Sequence, residues 1–109
     1  MSAYMLVEID EILDADTYAE YRKRVATTVY KYGGRYVVRG GSILALSGDW
    51  NPARMIILEF PTMERLLEWN ASDDYQEVAP LRLRATRGRA IAVQGYDRDA
   101  DADAAAEGS

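Results

Sequence analysis

Two residue types are missing from this 109-residue chain altogether, cysteine and histidine. Without cysteine there is no disulfide, no thiolate nucleophile and no thiolate metal site. Without histidine there is no Ser-His-Asp triad, no His-ligated zinc and no proximal histidine for haem. No metal and no cofactor is therefore expected, and any proton transfer falls to carboxylates, tyrosine, lysine or water. Long apolar runs are also missing. No stretch of about 18 apolar residues and no basic-then-apolar leader occurs, so neither a membrane span nor a signal peptide is expected. The expected location is the cytoplasm.

Excess positive charge is absent as well. The net charge is −5, but it is unevenly placed. From Asp97 on, five acids (Asp97, Asp99, Asp101, Asp103, Glu107) face one base, Arg98. Four of the five net charges thus belong to residues 97–109, which are read as a disordered acidic tail, low in complexity and almost without large apolar side chains. The body, residues 1–96, is long enough for one core and is read as one domain. It carries no dense basic stripe, which argues against nucleic acid as a partner.

What is present is alternation and helical spacing in turn. Tyr4–Asp10 reads as a strand with Met5, Val7 and Ile9 on one apolar face and Glu8 on the other, at a wet surface. Asp14-Ala15-Asp16 offers N-cap oxygens to a helix whose stripe is Tyr18, Tyr21, Val25, Val29 and Tyr32, stopped by Gly33-Gly34. The tyrosines are read as core.

A strand from Arg35 through Arg39 to about Ser47 follows, interrupted by a bulge or close approach at Gly40-Gly41. After a Gly-Asp-Trp-Asn-Pro connection comes a second strand, Arg54–Phe60. Thr62 caps a short helix with Met63, Leu66, Leu67 and Asn70 inward. A further helical piece from Ser72-Asp73 turns Tyr75, Val78 and Ala79 inward, and Pro80 is expected to kink or divide it. Arg82, Arg84, Arg87 and Arg89 around its end read as an anion patch or, more plainly, a solvated face. Gly88–Tyr96 is the last strand.

The resulting order, βαββααβ, is α+β and fits a ferredoxin-like four-stranded antiparallel sheet. One face lies under the helices. Taking Ile56, Leu58 and Phe60 as helix-facing puts Met55, Ile57 and Glu59 on the other face, where Glu8, Val37, Arg39, Ala92 and Gln94 are assigned with them. That face is about half apolar, so a second copy is expected to cover it, forming a homodimeric barrel. Arg39 and Glu59 are the expected ion pair inside it.

Three segments carry a resemblance: YGGRYVVRGG at 32–41, SGDWNPARMIILEFPTMER at 47–65 and YQEVAPLRLRA at 75–85. Together they resemble an uncharacterised family, domain of unknown function 1330, of the dimeric α/β-barrel superfamily. The resemblance implies the ferredoxin-like fold, a homodimer, and a cleft between sheet and helices open to small molecules. Arg39, Asp49, Trp50, Arg54, Glu59, Trp69 and Tyr75 match the pattern. Asn70, Asp73 and Gln94 depart from it, standing for an aromatic, a proline and a glutamate.

Two functional readings follow. In one, the dimer binds or transforms, without a cofactor, a small anionic or carbonyl-containing metabolite. Arg39 holds its oxygen, Glu59 orients it or acts as base, Trp50 and Trp69 form apolar walls, and Asp49, Arg54 and Tyr75 complete the substrate site. In the other, the protein is a non-catalytic homodimeric scaffold or regulatory module whose Arg–acid pair sets the register.

Overall fold

The computed structural model describes residues 1–97. The elements, in chain order, are β1 (Ala3–Ile12), α1 (Ala15–Lys31), β2 (Arg35–Arg39), β3 (Arg54–Phe60), α2 (Met63–Ala71), α3 (Asp73–Ala85) and β4 (Thr86–Gln94). The strands form one sheet of order β2-β3-β1-β4, antiparallel throughout. This is the ferredoxin-like arrangement the element order implied. The acidic tail expected over 97–109 lies, apart from Asp97, outside the described residues.

The central strands behave as alternation requires. Met5, Val7 and Ile9 of β1 and Ile56, Leu58 and Phe60 of β3 are buried under the helices. Asp14 caps α1, its carboxylate accepting from the Thr17 amide at 3.1 Å. Tyr18, Tyr21, Val25 and Val29 then meet the sheet. Thr62 caps α2 through the Arg65 amide; Leu66 and Trp69 are buried and Met63 packs against the core, but Leu67 and Asn70 are exposed. A three-residue step keeps Trp69 on the Leu66 side of so short a helix. The indole packs between Phe60 and Tyr75, with centroids 5.2 and 4.0 Å away. Its Nε1 donates to Thr28 Oγ1 at 3.0 Å, so the one polar atom of the indole is satisfied.

Several expectations need correction. Of the two outcomes expected at Pro80, division does not occur: helix α3 runs through it. Pro80 is exposed, and so is Gln76, whose carbonyl loses its helical donor to the proline and can turn to water. β2 ends at Arg39 rather than Ser47, and residues 41–53 form a loop. On β4, Ala90, Ala92 and Gln94 pair with Val7, Met5 and Ala3, so they share the helix-side face. Ile91 and Val93 point to the open side and stay exposed. β4 is an edge strand with little helix above it, so its larger apolar residues were no guide to the covered face.

Gly34 shows how tightly the core closes. A methyl group there would lie 2.6 Å from Phe60 Cε1 and 2.8 Å from Val29 Cγ1. Both neighbours are fully buried. Gly34→Ala is expected to lower stability by about 1–3 kcal/mol, the usual cost of overpacking, as read by urea denaturation.

Candidate functional site

The two faces of the sheet carry different polar chemistry. On the open face, acids meet arginines. Glu8 is buried, its side chain 8% exposed, and accepts from Arg89 Nε at 2.7 Å and from the Trp50 indole N–H. The expectation of a wet Glu8 is thus corrected, because Trp50 folds back over it. Glu59 accepts from Arg35 Nε at 2.7 Å and from the Tyr4 hydroxyl at 3.2 Å. Trp50 and Arg89 hold the Glu8 carboxyl below its ordinary value. Ser2 and Arg35 do the same for Glu59.

The expected Arg39–Glu59 pair does not form. Antiparallel pairing sets Arg35, not Arg39, opposite Glu59, and Arg39 opposite Ile56. A bulge between Tyr36 and Val38 also shifts the register. The extra residue reverses the alternation, so Val38 joins the open face and Arg39 turns to the helix side. The two residues therefore stand on opposite faces.

On the helix side, arginines meet tyrosines. A cleft between the sheet and α1 and α3 is ringed by Arg22, Arg39, Arg54 and Arg82 and by Tyr18, Tyr21 and Tyr36. Its floor is apolar, with Val7, Ile56 and Leu58 among its residues. No lining residue is acidic. Among the described residues none of the four arginines forms a salt bridge.

Arg54 Nε donates to the Tyr18 hydroxyl at 3.0 Å. Arg39 lies over the Tyr36 ring at 4.2 Å and donates to the Arg22 carbonyl at 3.2 Å. The Tyr21 and Tyr75 hydroxyls are 3.4 Å apart. Burial, and then Tyr75, push the Tyr21 phenol well above its ordinary pKa, so it stays neutral. Burial opposes the Arg82 charge, but the Tyr75 and Tyr21 hydroxyls outweigh it and raise its pKa. Arg82 Nε is buried with no hydrogen-bond partner. An unmatched donor inside a cationic cluster is the feature a bound anion would satisfy.

Of the residues selected from the sequence, Arg39, Arg54 and Trp69 line this cleft, and Tyr75 reaches it through Tyr21. Glu59 and Trp50 lie on the opposite face, so the two tryptophans do not wall one pocket. Asp49 is exposed in the loop. Arg82, Tyr18, Tyr21 and Tyr36 were missed as site residues. For Arg82 a signal existed: Tyr75, Val78, Ala79 and Arg82 continue one stripe at steps of three and four. The other members of the supposed arginine patch disperse, Arg87 to Glu11 at 2.9 Å and Arg89 to Glu8.

The comparisons with known proteins come to the same fold. The family model described as Domain of unknown function (DUF1330) matches residues 2–96. The chain belongs to this family. A protein of unknown function from Rhodopseudomonas palustris, a structural genomics target, superposes with a TM-score of 0.70 at 22% identity, covering 88% of this chain and 83% of that one. A dimeric ferredoxin-like protein of unknown function from Jannaschia sp. CCS1 gives 0.64 at 13% identity, covering 89% and 100%. A conserved protein from Methanosarcina mazei Go1 gives 0.56 at 14%, covering 88% and 94%. No curated protein matches the chain.

Two tests address the geometry of the DUF1330 chain. Gly40 has φ +72°, and a Cβ there would fall 1.9 Å from Arg54 Nη1. Gly48, at φ +79°, has open space around it. Each alanine replacement carries about 1–2 kcal/mol of left-handed strain. Only Gly40→Ala should also drive Arg54 off Tyr18, seen as loss of its protected Nε–H resonance in NMR spectra. On the open face, a lowered Glu8 pKa means stability that is present above the unfolded carboxyl value and lost as pH falls through the folded one. Glu8→Gln should therefore show a shallower loss of denaturation midpoint from about pH 6 to about pH 3 than the parent.

Proposed function

We propose that this protein is a homodimer that binds a small anionic molecule in the cleft between its sheet and helices, either as a binding protein or as a cofactor-independent enzyme. One observation carries the reading: four arginines and a set of buried tyrosine hydroxyls converge with no carboxylate among them, and a buried guanidinium N–H is left unmatched. Structural arginines are normally neutralised, as Arg35 and Arg89 are on the other face. Uncompensated cations at a cleft instead point to a ligand that brings the negative charge.

The size of the cleft agrees with a small ligand. It holds about 410 Å³ of unfilled space open to solvent, but water-sized bodies fit in only about 30 Å³ of it, room for roughly two waters. Only a compact group such as a carboxylate head enters without movement of the arginines.

Homodimerisation rests on the open face. Ile91 and Val93 on β4 are exposed there, as are Leu44 and Leu46 in the loop, at 81% and 90%. A second copy would cover such a surface, and the Jannaschia relative is described as dimeric.

Native mass spectrometry of gently purified protein tests both parts. The expected spectrum is a dimer carrying a small adduct, with the adduct lost and the dimer kept in Arg82→Met. A clean dimer that takes up no added anion would instead favour the scaffold reading. A monomer would overturn the dimer.

A further inference from the structure

The donors around the cleft can be counted atom by atom. Arg82 Nε–H has no partner. The Tyr18 hydroxyl accepts from Arg54, which leaves its own proton to donate. Tyr21 and Tyr75 share one hydrogen bond, so one of their two protons is likewise unspent. The Trp69 N–H is already given to Thr28. Apart from the tyrosine hydroxyls, no side chain lining the cleft carries an oxygen or nitrogen acceptor.

The donors are also of two kinds. Arg22 and Arg39 are exposed at the rim, whereas Tyr18, Tyr21 and Tyr75 are buried. Guanidinium forks match a carboxylate. A neutral phenol O–H suits a carbonyl or enolate oxygen, which needs a donor but no full countercharge. An ammonium group would find the reverse of what it needs: four cations and no acidic acceptor.

From this we infer that the ligand presents only acceptor atoms to the cleft, a short 2-oxo acid or its enolate, and that the cleft rejects the amino acid of the same carbon skeleton. The inference rests on the anion-binding reading above and adds the identity of the second group. The oxo acid gains a hydrogen bond at the position where its amino counterpart would bury a charge without a partner. Buried polar groups left unmatched are what make such discrimination strong.

The test is an NMR titration of the full chain with pyruvate, L-alanine and inorganic phosphate. Pyruvate is expected to shift the tyrosine and arginine side-chain resonances of the cleft and to bind about tenfold or more tighter than alanine. Arg82→Met should abolish the response. Arg39→Gln, altered at an exposed position, should weaken it while leaving the fold intact, so a misfolded Arg82 variant would not spoil the experiment. Alanine binding as tightly as pyruvate would overturn the inference. So would phosphate binding where pyruvate does not, which would leave a bare anion site and the broader reading in force. No response to any of the three would remove that reading and this inference together.

Discussion

Pairing of β1 with β3 on one side and β4 on the other is the constraint from which the rest follows. Register commits each side chain of these strands to one of two faces, and a side chain cannot change face without losing its ladder. The helices cover one face only. Buried apolar residues of β1 and β3 hold that layer together, and Trp69, wedged between Phe60 and Tyr75, ties α2 and α3 to it.

The polar chemistry is divided by the same sheet. Acids sit with arginines on the open side, where Glu8 is held by Arg89 and Trp50 and Glu59 by Arg35, Tyr4 and Ser2. Arginines sit with tyrosines on the covered side, with no acid to neutralise them. A compensated arrangement is content to be structural. On the covered side the positive charge stays unneutralised above an apolar floor.

Much of this was legible in the chain. Period-two apolar residues at Met5, Val7 and Ile9 and at Ile56, Leu58 and Phe60 mark the covered face because both strands are central and face one crowded layer. The Asp14 and Thr62 caps are local chemistry, and local chemistry survives folding. Legibility fails at the edges of the sheet. On β4, size of side chain does not track burial because little covers the strand, so Ile91 and Val93 mislead. On β2, a bulge moves Arg39 to the other side, and nothing in the run RYVVRGG marks where the extra residue falls.

By itself, then, the sequence determined the element order, the central core and the family, and through its lack of histidine and cysteine the kinds of chemistry left open. These depend on composition, spacing and caps, which act over a few residues. Tertiary structure decided which charges meet. That Glu59 takes Arg35 rather than Arg39, that Glu8 is roofed by Trp50, and that Arg82 turns inward to Tyr21 and Tyr75 are all consequences of register, bulge and helix packing. The contacts of the two glutamates join residues 24 to 81 positions apart, beyond the reach of any local pattern.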